Sequence, residues 1–185
     1  MLQDRLFGAF SFKQGIYYEV EHDQSFTSTA WLLVAGSALL AQLGANASAD
    51  FGAWLVRSVA LTAVEVLAFA LAAFLIGWIG RNFFKAEVSF QEMVRTLGLA
   101  HVWRAVGVVG ILTAIIPGLA CILLPVTILA ALLGLAAWFV AAREALDLDL
   151  VQTLITVVIG FLGFILITQL FSAILGVLGF AGGLF

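Results

Sequence analysis

Three ionisable residues fall deep inside long apolar runs, where a charge has no water to solvate it. Glu65 lies in the run 51–80, and His101 and Arg104 lie in the run 94–116. A carboxylate, an imidazole and a guanidinium at one depth are the chemistry of a buried ion pair or of a proton relay. Counting from Trp54 as an interface anchor at 1.5 Å per residue puts Glu65 roughly 16 Å in, and counting from Val94 puts Arg104 roughly 15 Å in. The two depths match, so the spacing predicts a Glu65–Arg104 pair tying the second helix to the third, with His101 one turn nearer the N-terminal side. A relay through the same three residues normally needs more polar groups along its path than this chain offers. Arg57 precedes Glu65 by roughly 12 Å of helix. It is expected to snorkel outward, with Gln169, late in the final run, as an acceptor or lipid contact at the same level.

Outside these runs, Glu19, Glu21, His22 and Asp23 bring metal-ligand residue types together. Such a segment reads as a solvated face, because a metal site also needs geometry and supporting hydrogen bonds. No metal and no cofactor are expected, although a bound lipid is compatible with the sequence. There is no His-Glu-x-x-His, no Gly-x-Ser-x-Gly and no phosphate-binding glycine loop, so no catalytic residue is assigned and the protein reads as non-enzymatic. The lone Cys121, inside an apolar run, reads as a small buried hydrophobe with no intramolecular disulfide available.

The elements that must position the polar residues follow from composition. Of 185 residues, 64% are hydrophobic and only 10% charged, with a mean hydropathy of +1.18. Water-soluble domains carry about a quarter charged residues, so the expectation is an all-α, polytopic membrane helix bundle forming one domain over residues 1–185. Five spans of about 26–45, 51–80, 94–116, 119–142 and 151–180 account for nearly all of it. Residues 1–25 remain as a cytoplasmic or interfacial segment. Leu2, Leu6 and Phe10, with Phe7 beside them, suggest a short amphipathic helix lying on the inner membrane surface. These residues hold no uninterrupted apolar stretch of the signal-peptide kind, so a retained N-terminus is expected.

Helix ends are marked as well. Ser25 or Thr27 can cap the first span and Asp147 or Asp149 the fifth. Ser89-Phe90-Gln91-Glu92 has capping-box spacing before the third span, and Pro117-Gly118 ends that span in a tight turn. Arg5 and Lys13 precede the first run, Arg81 and Lys85 stand between the second and third with Arg95 just beyond, and Arg143 stands between the fourth and fifth. The other loops carry none, so the positive-inside bias predicts a cytoplasmic N-terminus and an outside C-terminus. A net charge of −3 without a dense basic run argues against nucleic acid as a partner.

Glycines add a packing signal. Gly160-x-x-Gly163, Gly176-x-x-Gly179 and Gly179-x-x-x-Gly183 in the last run, with Gly107-x-x-Gly110 in the third, allow backbones to approach closely, either within the bundle or against a partner helix or lipid.

The order of these features resembles one family. An amphipathic start, an acidic aromatic stretch, Phe74-Leu75-Ile76-Gly77 in the second run and Phe90-x-x-x-Val94-Arg95-Thr96-Leu97-Gly98-Leu99-Ala100 opening the third resemble the Yip (Ypt-interacting protein) family of five-span membrane proteins. Ile115-Ile116-Pro117-Gly118-Leu119 and Arg143-Glu144-Ala145-Leu146 are similar to its bacterial branch. The resemblance implies five spans, a cytoplasmic N-terminus and a bacterial cytoplasmic (inner) membrane location. Eukaryotic members are linked to Rab-type GTPases, but residues 1–25 lack the Asp-Leu-Tyr-Gly-Pro type motif of those proteins, so no such partner is expected. His101-Val102-Trp103 also departs from the family, which often has a proline soon after the Gly-x-Ala. The function expected is membrane organisation, or an accessory or scaffold role through helix contacts with lipids, other integral membrane proteins or a second copy. A small transporter or channel using Glu65, Arg104 and His101 is the alternative.

Overall fold

The computed structural model describes residues 2–177, with side chains described as far as Ile174. Among the described residues every regular element is helical. Helices α1 (Leu2–Phe10) and α2 (Ile16–His22) precede α3 (Phe26–Ala45) and α4 (Phe51–Phe84). α5 (Phe90–Ala100) then continues directly into a 3-10 segment (His101–Gly110) and α6 (Ile111–Ile115). A 3-10 turn (Pro117–Leu119) leads to α7 (Ala120–Leu146), and α8 (Leu150–Val177) follows. Five stretches are long and apolar enough to cross a membrane: Phe26–Ala45, Phe51–Phe84, Phe90–Ile115, Pro117–Leu146 and Leu150–Ile174. The chain is thus a multi-pass helical bundle, in which the second and fourth spans run a turn further than their hydrophobic runs suggest.

Local chemistry sets the boundaries. The Asp50 carboxylate accepts the Ala53 amide at 3.0 Å to open α4, and Asp149 accepts the Gln152 amide at 2.9 Å to open α8. Ser89 and Glu92 form a complete capping box at the start of α5. Ser25 occupies the N-cap position of α3, but its side chain does not cap the helix; its hydroxyl donates to Asp23 at 2.6 Å instead. Thr27 likewise donates back, to the Gln24 carbonyl at 3.1 Å. Lys85 and Asp147 end α4 and α7 in the left-handed region, with φ of 59° and 49°.

Burial does not follow hydropathy. Every residue from Met93 to Val102 is buried, including Arg95, Thr96 and His101. The central element is therefore among the less apolar ones, while only 6% of the apolar window of the fourth span is buried. In a membrane this is the stable arrangement, since lipid accepts Leu and Ile as readily as a protein core does, whereas polar groups must find partners inside.

The third span leaves the α conformation where it meets α3. A 3-10 helix has three residues per turn, so positions three apart eclipse. His101, Arg104, Gly107 and Gly110 therefore share one line, whereas in an α-helix each three-residue step rotates back about 60° and Gly110 would face away from His101. The two glycines use that alignment: Gly107 lies tightly against Ala41, and Gly110 lies against Gly44 with no room for a Cβ. Further back, Gly98 lies against Ala30. The two helices run parallel, and the 3-10 rise of about 2.0 Å lets residues 98–110 cover roughly the length that α3 covers from 30 to 44.

Gly44→Ala should test this contact, because a Cβ there collides with the Gly107 carbonyl oxygen. A loss of about 1–3 kcal/mol is expected, read from thermal unfolding in detergent. Gly36→Ala, where a Cβ meets nothing within 4 Å, should be neutral or slightly stabilising.

Candidate functional site

Glu65 sits on the face of α4 that meets α3 and the 3-10 segment, and it is 1% exposed. Arg104 clasps it in a fork, Nε donating to Oε1 at 2.6 Å and Nη2 to Oε2 at 2.9 Å. The Gln42 amide of α3 donates to Oε2 at 2.7 Å. His101 brings Nε2 to 3.5 Å from Oε1. A bidentate guanidinium and a third donor satisfy the carboxylate where hydrocarbon would otherwise surround it. The structure thus joins Glu65 to Arg104 and places His101 alongside, as their spacing predicts. Gln42 is the member that sequence reading missed, because a single amide in an apolar run carries no sign of its partner.

From Gln42 a polar string leads toward the α3–α4 turn. The Gln42 side-chain oxygen accepts from Asn46 at 3.0 Å, its backbone carbonyl accepts from Ser58 at 3.2 Å, and the Ser58 carbonyl accepts from Thr62 at 2.7 Å. On the other side the string stops at rings. His101 is 2% exposed and is flanked by Phe69, Trp138 and Phe164 at centroid distances of 5.2, 5.8 and 6.1 Å. Neither His101 ring nitrogen has a hydrogen-bond partner, and neither has the buried Trp103 Nε1.

Arg57 and Gln169 are not brought together. Both side chains are exposed, and no hydrogen bond or ion pair joins them among the described residues. The register explains it: Gly160 of α8 lies against Ala72 and Ile76 of the antiparallel α4, which aligns Gln169 with the neighbourhood of Glu65, roughly 12 Å along the axis from Arg57. Gly160 and Gly163 both face α4, with Gly163 against Leu75. Gly176 has no described surroundings, and Gly179 and Gly183 lie outside the described residues.

A second polar centre lies at the N-terminal end of the bundle. Arg95, read from sequence as a charge at the edge of the third span, is 3% exposed and buried under α2. Its Nε donates to the Val20 and Glu21 carbonyls at 3.1 and 2.8 Å, its Nη2 donates to the same Glu21 carbonyl, and its Nη1 donates to the Thr27 hydroxyl at 3.2 Å. At the opposite end of α2 the Tyr18 amide donates to Glu144 of α7 at 2.9 Å. A cation thus meets the carbonyl end of α2 and a carboxylate its amide end, which complements the dipole of this short helix.

α1 joins the same cap. Arg5 pairs with Glu19 at 2.9 Å and with Asp23 at 2.8 Å. Hydrogen bonds from Ser25 and from Arg5 hold the Asp23 carboxyl below its ordinary range. Burial raises the carboxyl of Glu21 and the phenol of Tyr17. The side chain of Phe10, instead of facing only the membrane surface, lies edge-on to Trp103 at 4.9 Å. Among the described residues no cluster of His, Cys, Asp and Glu has metal-binding geometry, and Glu19 and Asp23 are engaged by Arg5. Cys121, read as buried, is exposed on α7.

Comparison of the chain with protein-family models, with curated proteins and with solved structures finds no match in any of the three.

A double-mutant cycle isolates the central pair. Arg104→Met strands the buried carboxylate and should cost about 3–5 kcal/mol. Glu65→Leu should also cost several kcal/mol, on the order of the Arg104→Met loss, because it leaves the Arg104 guanidinium unpaired at membrane depth. The Glu65→Leu/Arg104→Met double variant should recover most of the loss, as buried pairs replaced by apolar side chains commonly do. Unfolding in detergent measures all three, and additive losses would mean the pair is not coupled.

Proposed function

We propose that this protein is a non-enzymatic, multi-pass membrane protein that organises its membrane or serves as an accessory subunit of a larger membrane complex. Its partners are lipids and other integral membrane proteins or a second copy, met through helix faces. One observation carries the reading: only 6% of the apolar window of the fourth span is buried within the chain, and α7 presents Ile122, Leu124, Ile128, Leu129 and Leu132 outward. An apolar face of that extent is suited to a neighbouring helix or to lipid. The polar cap of α1 and α2 is largely turned onto the bundle itself, through Arg95, Glu144 and Arg5. Little extramembrane surface is left to recruit soluble partners, and a Rab-type GTPase is not proposed.

The sequence resemblance to the bacterial Yip family supports the same reading and brings with it a bacterial inner-membrane location. The basic loop residues favour a cytoplasmic N-terminus and an outside C-terminus. The polar string from Glu65 to Asn46 and Thr62 favours the transporter alternative. Against it stands the aromatic wall of Phe69, Trp138 and Phe164, which leaves the string without a continuation past His101 and suits a structural tie.

Purification from native membranes in a mild detergent, followed by mass spectrometry, distinguishes the two. The expected result is a stoichiometric membrane partner whose yield falls when Ile128 and Leu132 are replaced by bulky Trp. A lone protein that moves solute across liposomes, and stops doing so in Glu65→Gln, would establish the transporter instead.

A further inference from the structure

A cavity of about 160 Å³ lies between the 3-10 segment, α7 and α8. His101, Trp103 and Arg104 line one side of it, Ala131 and Gly134 of α7 another, and Phe161 and Phe164 of α8 a third. Cavities of about 150 Å³ accept a benzene-sized ring. The walls suit such a ring, since Trp138, Phe161 and Phe164 form an aromatic cluster at centroid distances of 5.7 to 6.2 Å.

Most of the polar groups on this cavity are N–H donors, with the Thr127 hydroxyl also in the lining. His101 is 2% exposed, its Nε2 lies 3.5 Å from Glu65 Oε1 without forming a hydrogen bond, and its Nδ1 and the buried Trp103 Nε1 have no partner. Arg104 spends Nε and Nη2 on Glu65, and its Nη1 has no protein acceptor among the described residues. Burying such groups unsatisfied is costly, so an occupant that supplies acceptors is favoured. Because Glu65 already balances Arg104, the occupant gains nothing from carrying a negative charge. The fourth span, whose apolar window is the least buried of the five, forms one wall, which gives a membrane-dissolved molecule a short route in.

We propose that this cavity is a binding site for a membrane-soluble quinone, its planar ring held among Trp138, Phe161 and Phe164 and its carbonyl oxygens accepting from Trp103, Arg104 and His101. Binding alone is assigned, with no electron transfer. A flat ring of this size with uncharged acceptors on its edge matches volume, wall and donors together. An ester carbonyl of a bilayer lipid offers the same acceptor chemistry without the ring. Phe10 and Phe12, against the Trp103 indole at 4.9 and 5.9 Å, hold the main donor in place. The proposal is independent of the assembly role.

The test uses the full chain in nanodiscs, titrated with a decyl-substituted benzoquinone, with decylcyclohexane as a carbonyl-free analogue and with added phosphatidylglycerol. Saturable quenching of tryptophan fluorescence and a raised melting midpoint are expected with the quinone alone. Trp103→Phe should weaken binding about fivefold, the loss of one hydrogen bond, and Ala131→Leu, which fills the cavity from α7, should abolish it without lowering the midpoint of the empty protein. No saturable quinone effect, equal binding of the analogue, displacement by phosphatidylglycerol, or full binding by a folded Ala131→Leu variant would each overturn the assignment.

Discussion

A carboxylate at bilayer depth must find its hydrogen-bond donors within the protein, and the third span of this bundle is shaped around that need. Glu65 is almost completely enclosed, and its oxygens receive the fork of Arg104 and the amide of Gln42. One group thereby links α3, α4 and the 3-10 segment. Losing any one donor would expose a charge to hydrocarbon, so the three elements are held in a single register.

The long 3-10 segment follows from two simultaneous demands. Arg104 must face α4, while Gly107 and Gly110 must face the small residues Ala41 and Gly44 of α3, and an α-helical rotation would pull those faces apart. Runs of 3-10 helix beyond a turn are uncommon because their hydrogen bonds are poorer. Here close backbone packing and the ion pair offset that cost. The cavity beside the segment is lined by its other side chains, with Trp103 turned toward α7 and steadied by the rings of α1.

Legibility from sequence varied with how local each signal was. The capping box at Ser89 and Glu92 and the Asp149 cap involve residues three apart, so their geometry is set by any helix that starts there. Glu65 and Arg104 were also readable, since depth along a membrane helix is a one-dimensional quantity. Arg95 was not, because its place at the edge of the third span made it resemble an interfacial charge and nothing nearby in sequence marks the carbonyls of Val20 and Glu21 as its acceptors. Arg57 and Gln169 failed for a related reason. Their levels depend on the register between α4 and α8, which Gly160 sets by close contact with Ile76 and which hydropathy does not encode.

What the sequence by itself determined is the membrane as solvent, the number of spans and most helix ends, because hydrophobic length, charge placement and capping are local properties of the chain. What only the tertiary structure decided is how the polar groups are satisfied: the Gln42 donor, the burial of Arg95 under α2, the 3-10 winding and the cavity with its unpartnered nitrogens. These depend on which faces meet, and in a bilayer that choice rests on close packing of small residues and on the pairing of a few buried polar groups, both of which act across the fold.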